Sequence, residues 1–259
     1  MITSSQNPRV KLVRGLLGRA RERREAGAFV AEGVRLVEEA ARADWSMKFV
    51  LYDESLSERG MQTVKLLTAL GVETEQVGAG IMDSLSDTET AQGILAVLAF
   101  SDLPYSPAAD FILIPDQVRD PGNLGTLLRS ADAAGASLVL IPPGTADPFS
   151  PKVVRAGMGA HFRLPLRSMS WDEIRGFCTT PASGRILLGD MQGASCWETD
   201  LRQPLTLIIG GEAEGASPQA RALASQSICI PMAGGSESLN AAVAGSVLMF
   251  EVMRQRKGK

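Results

Sequence analysis

Apolar runs alternate with amphipathic segments along the whole chain, and each change of period marks an element. Residues 1–25 predict a basic helix, and Phe29-Val30-Ala31-Glu32-Gly33 leads into a second helix over Val34–Arg42, with Val34, Val37 and Ala41 on one side. Lys48–Tyr52 reads as a strand, Met61–Leu70 as a helix closed by Gly71, and Val72–Val77 as an alternating strand. The continuous apolar run Ile94–Phe100 predicts a buried strand. Residues 1–100 therefore form an α/β unit of their own, and nothing in them suggests catalysis. A recognition or scaffold role is the expectation. Ser101–Pro107 has two prolines and no periodicity, so a linker is placed at 101–109.

The second domain, 110–259, opens with a buried strand at Phe111–Ile114, a polar loop at Asp116–Asn123 and a helix at Leu124–Ala134 ending on Gly135. Strand Leu138–Ile141 follows, completing a β-loop-α-β unit, so a parallel sheet is expected. Pro151–Met158 and Trp171–Phe177 predict helices; Phe162–Leu166 and Arg185–Gly189 predict strands. Two further strands, Leu205–Ile209 and Ile228–Met232, each run into a glycine-rich loop. A long helix then begins near Ser238, with Leu239, Val243, Val247, Phe250 and Met253 as its buried stripe. Taken as neighbours, the two strands would wall a backbone-lined pocket at their carboxyl ends.

Composition narrows the chemistry. At 259 residues, 45% of them hydrophobic, the chain suits one large or two modest globular domains. It has no apolar run of about 18 residues and no apolar signal core, so a cytoplasmic protein with no membrane partner is expected. Cys178, Cys196 and Cys229 are widely spaced and form no CxxC, which argues against a disulfide framework or structural zinc. His161 stands alone, so a His-rich metal site is excluded and no metal is expected. The net charge of -3 does not suggest an indiscriminate nucleic-acid binder. Yet Arg9, Lys11, Arg14, Arg19, Arg21, Arg23 and Arg24 lie close together with only Glu22 opposing, and such a cluster can dock a phosphate backbone.

Three loops carry candidate chemistry. In Asp120-Pro121-Gly122-Asn123, Asn123 sits where a helix N-cap belongs, and Arg129 lies off the apolar stripe of the helix that follows. Gly210-Gly211-Glu212-Ala213-Glu214-Gly215 is neither a P-loop nor a dinucleotide fingerprint, and on spacing alone Glu212 and Glu214 compete for a site role. In the third loop Ser236 or Ser238 would cap the last helix, and Asn240 would lie in its first turn. Arg254, Arg256, Lys257 and Lys259 close that helix as its dipole prefers.

The order DPGNLGTLLRSADAAG, LIIGGEAEG and ICIPMAGGSESLNAAVAGSVLMFE resembles the three signature motifs of SpoU/TrmH-type RNA 2′-O-ribose methyltransferases, of the SPOUT class. The stretch FVAEGVRLVEEA and the element order ahead of it are similar to the small ribosomal-protein-like substrate-binding domain of many members. The resemblance implies a small N-terminal α/β domain before a parallel-sheet α/β domain whose C-terminal segment forms a trefoil knot. It implies S-adenosyl-L-methionine as cofactor and a homodimer packed through the knotted domain. It places the polar set on Asn123, Arg129, Glu212, Ser238 and Asn240, so favouring Glu212 over Glu214. Cofactor-binding positions fall on Gly210, Gly211, Ile230, Met232 and Leu239. An arginine in the first motif completing the partner's site is likewise a family feature. Ala241-Ala242 and His161 depart from the usual pattern without touching that set. The expected substrate is structured rRNA, ahead of tRNA. A non-catalytic RNA-binding module is the alternative, and a dinucleotide-dependent oxidoreductase fails on the absent fingerprint.

Overall fold

The computed structural model describes residues 1–86, 92–106, 109–179, 184–212, 214–234 and 238–257. The chain forms two compact units. One holds Met1–Ser101 together with Phe149–Phe162; the other holds Asp102–Pro148 and Arg163–Lys259. The segment Phe149–Phe162 thus belongs with the first unit, although it falls within residues 110–259.

In the first unit the basic helix is two helices, α1 (Pro8–Gly18) and α2 (Ala20–Ala26), because Arg19 between them is extended. Asn7 caps α1 through its side chain, and Val10, Val13 and Leu16 are its buried face. Most of the basic cluster is consumed within the unit. Arg9 pairs with Glu73 and Glu75 and lies over the Phe49 ring. Arg19 pairs with Glu22 and Arg21 with Glu25, while buried Arg23 donates to the Leu16 carbonyl. Lys11, Arg14 and Arg24 remain exposed, their side chains with no hydrogen bond or ion pair among the described residues.

The mixed sheet of this unit runs in the order β1 (Ala28–Glu32), β4 (Ile94–Ala99), β2 (Met47–Tyr52), β3 (Thr74–Gln76). Only β2 and β3 pair in parallel. Helices α3 (Val34–Arg42), α4 (Glu58–Ala69) and α5 (Ala79–Ser84) complete it. Sequence periodicity did not show β1 as a strand or α5 at all, both being too short to repeat a pattern. Helix α7 (Pro151–Gly157) packs on β1. His161 is buried beside Phe29 and Phe149, at ring separations of 6.5 and 5.8 Å. It lies in a 3₁₀ turn, Ala160–Phe162, not at a strand start: the expected strand begins only at Leu166.

The second unit is built on six parallel strands in the order β10 (Gln226–Cys229), β8 (Arg185–Ser195), β9 (Leu205–Gly210), β5 (Phe111–Asp116), β6 (Leu138–Ile141), β7 (Leu166–Ser168). Helices α6 (Pro121–Ala134), α8 (Trp171–Cys178), α9 (Pro218–Leu223) and α10 (Ala241–Lys257) accompany it. One expectation is corrected here. Strands β9 and β10 are not neighbours, because β8 runs between them. The β8–β10 ladder also jumps from Leu188–Ser227 to Ala194–Ile228, leaving Gly189–Gly193 outside it.

The last helix is corrected too. It starts at Ala241, and its buried residues are Ala241, Ala242, Gly245, Leu248, Met249, Glu251 and Val252. The expected stripe instead faces out, with Leu239 at 36%, Val243 at 48% and Phe250 at 42% exposure. The helix is apolar on nearly every side, so periodicity allows two faces; close approach decides between them. A Cβ on Gly245 would collide with Leu127 of α6, and Ser130 and Ser246 hydrogen-bond across the same contact at 2.7 Å. At the C-terminal end Arg256 donates to the carbonyls of Asp110 and Gln203. Ser236 and Lys259 lie outside the described residues. Among the described residues no helix is long and apolar enough to cross a membrane.

Candidate active site

The sheet order reverses at β5, with β6 on one side and β9 on the other, and ligands of open α/β sheets bind outside the carboxyl ends at such a point. Four segments meet there: the β5–α6 loop, the β8 excursion, the β9–α9 loop and the segment between β10 and α10.

The β9–α9 loop turns back on itself through a bridge between Gly211 and Gly215, which presents Glu212 at its tip. A Cβ on Gly211 would collide with the Gln117 carbonyl, so glycine is what allows this loop to lie against the β5 loop. Gln117 itself holds a left-handed φ of 56°.

Helix α6 begins three residues earlier than expected. Asp120, not Asn123, is the N-cap: its side chain accepts from the Asn123 N–H at 2.8 Å, and Pro121 takes the first helical position. Asn123 is therefore freed from capping. Its Nδ2 donates to Glu212 Oε1 at 2.6 Å. Asn240 is the capping side chain of α10, its Oδ1 accepting from Ala242 N at 2.9 Å and Val243 N at 3.1 Å. Its Nδ2 donates to Glu212 Oε1 and, at 3.1 Å, to Asn123 Oδ1. One carboxylate oxygen thus ties together the first turns of two helices, whose positive ends favour an anion. Glu212 Oε2 has no hydrogen bond among the described residues.

This cluster stands between two hollows. A cleft of about 920 Å³ is lined by Gly210, Gly211, Glu212, Ile230, Met232, Ser238, Leu239 and Asn240, together with Gly189–Gln192 of β8 and Arg221. A smaller hollow of about 110 Å³ is lined by Gln117, Val118, Arg119, Asp120, Asn123 and Glu214 and shares Glu212 and Ala241 with the cleft. Glu214, the competing acid, is paired with Arg119 at 3.2 Å. Arg129 borders neither hollow. It lies six residues beyond Asn123 on α6, so about 9 Å along the helix and about 120° around it. It is exposed and has no partner among the described residues.

The sequence pattern described as the SpoU rRNA Methylase family matches residues 110–250. The chain belongs to the SpoU rRNA methylase family. Ahead of that match, residues 7–96 fit the MRM3-like substrate binding domain. Among SpoU relatives, the 23S rRNA (uridine(2479)-2′-O)-methyltransferase of Streptomyces viridochromogenes is 33% identical over 98% of this chain and 92% of its own. The 23S rRNA (guanosine(2553)-2′-O)-methyltransferase RlmP of Bacillus subtilis is 32% identical over 97% of this chain and 98% of its own. The crystal structure of the SpoU methyltransferase AviRb from Streptomyces viridochromogenes in complex with AdoMet superposes with a TM-score of 0.85, at 31% identity, over 98% of this chain and all of that one.

The cofactor of this family, S-adenosylmethionine, fits what the cleft offers. Its volume lies in the range of small-molecule sites, about 300–1,000 Å³. Gly210 and Gly211 bring bare backbone to its lining, and Ile230, Met232 and Leu239 supply apolar surface. Among the described residues no group of three or more His, Cys, Asp or Glu could hold a metal ion.

Sequence reasoning missed Asp190 and Gln192 of β8, and Arg221 of α9. The signal was there in the pair Gly189 and Gly193, which bracket the β8 excursion. It also missed Asp116. This carboxylate is fully buried and accepts from Ser217 N at 2.6 Å, anchoring the far end of the Glu212 loop. Burial pushes its pKa up from 3.8, against the hydrogen bonds from Ser217. A raised carboxyl pKa means the folded state holds the proton more tightly than the unfolded chain does. The associated stability is complete below 3.8 and declines as pH rises through the raised value. Urea midpoints of wild type and Asp116→Asn between pH 3.5 and pH 8 should therefore diverge, the variant gaining relative to wild type as pH climbs. A constant difference across that range would mean that the fold does not raise the Asp116 pKa.

Proposed function

We propose that the chain transfers a methyl group from S-adenosylmethionine to a ribose 2′-hydroxyl of ribosomal RNA. The observation that carries this reading is the Asn123–Glu212–Asn240 cluster, standing on the wall shared by a cofactor-sized cleft and a small polar hollow. The cofactor's sulfonium supplies an electrophilic methyl group, so the protein's task is alignment rather than generation of a strong nucleophile. Asn123 and Asn240 hold Glu212 rigid, and Glu212 Oε2 receives a donor from the target nucleotide. Ser238, exposed on the cleft wall, positions the same nucleotide. The relatives named above modify uridine and guanosine, so the ribose is what their targets share. The relatives named above act on 23S rRNA, which favours rRNA over tRNA, and Lys11, Arg14 and Arg24 are the unspent charges of the first unit. The site of action is the cytoplasm.

The working form is a homodimer packed through the C-terminal segment, which carries the family's trefoil knot. The exposed residues Val243 and Phe250 support this, being apolar surface two turns apart on α10. Arg129 lies on α6, the helix packed against α10, and in the proposed dimer it reaches the partner's site.

Purified protein, labelled S-adenosylmethionine and 23S rRNA test the activity. Label should enter the RNA at a linkage resistant to alkali, as 2′-O-methylation requires; label at an alkali-sensitive position contradicts it. The dimer has its own test. Val243→Glu with Phe250→Glu should give a monomer by sedimentation and lower activity about 100-fold or more, since a charge in a buried interface is costly. A double variant that remains dimeric would place the interface elsewhere.

A further inference from the structure

The middle strand carries a feature that the three motifs do not account for. β8 leaves its ladder at Gly189 and rejoins it at Ala194. Glycine closes the excursion because a Cβ on Gly193 would collide with the backbone of Ser227 and Ile228. The three residues between the glycines, Asp190, Met191 and Gln192, all line the cleft. Asp190 is held there by two contacts. Its Oδ1 accepts from the Gln192 N–H at 3.1 Å, and its Oδ2 accepts from Arg221 Nη1 at 2.7 Å.

Each carboxylate oxygen has two acceptor sites, so one remains on each oxygen of Asp190. The Gln192 N–H, followed by the Arg221 guanidinium, holds the carboxyl below the usual range, so it stays an acceptor at neutral pH. Its charge is already balanced by Arg221, which disfavours a cation as the third partner. What fits two parallel acceptors on a charge-balanced carboxylate is a pair of neighbouring hydroxyls.

We infer that Asp190, oriented by Arg221, accepts the two hydroxyls of the cofactor's ribose. The excursion of β8 thus recognises the nucleoside part of S-adenosylmethionine, while the Glu212 cluster serves the reacting end. Arg221 is a positioning residue: it touches Asp190 and acts through it. This inference rests on the cleft being the cofactor site, and the two can fail separately.

The test uses binding by calorimetry of S-adenosylhomocysteine and its 2′-deoxy analogue to the full chain. Wild type should bind the 2′-deoxy analogue about 10- to 100-fold more weakly, the usual value of a hydrogen bond to a charged group. Asp190→Asn should weaken S-adenosylhomocysteine and shrink that preference to a few-fold, with the thermal midpoint unchanged. Arg221→Gln should show a smaller loss of the same preference. Equal binding of both ligands by wild type overturns the inference without any variant. So does a preference kept in full by Asp190→Asn. Ile230→Trp puts a large ring into the cleft that Ile230 lines and should abolish binding of both ligands. If it does and Asp190→Asn keeps the preference, only the diol assignment falls; if it leaves binding intact, the cleft itself is not the cofactor site.

Discussion

Arg129→Ala is expected to lower turnover about 1,000-fold and leave cofactor affinity unchanged, as a guanidinium that serves the developing charge rather than the cleft would. Arg129 borders neither hollow in its own chain, so its removal cannot disturb the cofactor wall. The size follows from the role. Deprotonating an arginine at neutral pH costs about 8–9 kcal/mol, too much for a general base in an ordinary turnover. A fixed guanidinium beside the attacking oxygen instead holds the neighbouring phosphate and steadies negative charge, an effect of about 10²–10³ in rate. Arg129→Lys keeps the charge but not the two-pronged geometry and should retain about a tenth to a hundredth of wild-type turnover. Near-normal turnover with lysine would remove the bidentate role. Weakened cofactor binding in either variant, read by calorimetry, would place the side chain in the cleft after all.

Glu212→Ala is expected to lower kcat/KM about 100-fold or more, with little change in the thermal midpoint. The carboxylate accepts from both Asn123 and Asn240 through one oxygen. Removing it releases two amides at once, and a misplaced reacting group costs about 100-fold per ångström. Stability should hardly move. Glu212 and Asn240 are exposed, and Asn240 keeps its cap on α10 through the other end of its side chain. Glu212→Gln preserves an acceptor at the same place and should recover part of the loss. A loss of thermal stability that tracks the loss of rate would make the cluster a fastening of the two helices and nothing more.

Much of this arrangement could be read from residues alone, and the failures have physical causes. The strands β5, β6 and β9 stand out because each is an unbroken apolar run ending in glycine or a polar turn. Asn123 and Asn240 were found as candidates, but their capping roles were inverted. Asp120-Pro121 starts α6 earlier because proline is favoured at the first helical position, and that sends Asn123 inward to Glu212. Asn240 proved to be the cap itself. The face of α10 was misjudged because it is apolar nearly all round; only the clash of any Cβ at Gly245 with Leu127 decides which side meets α6. The place of β8 between β9 and β10 is a matter of topology, which local pattern does not encode. For that reason Asp190 went unnoticed, although the glycines on either side of its segment were in plain view.

Mixed dimers test the shared site most directly. Arg129→Ala and Glu212→Ala proteins, each nearly inactive, are unfolded together, refolded as a mixture and assayed. If Arg129 acts across the interface, each mixed dimer holds one site with both wild-type side chains, and random pairing restores about a quarter of wild-type activity. If Arg129 serves its own chain, every site lacks one of the two groups, and the mixture stays as inactive as its parts.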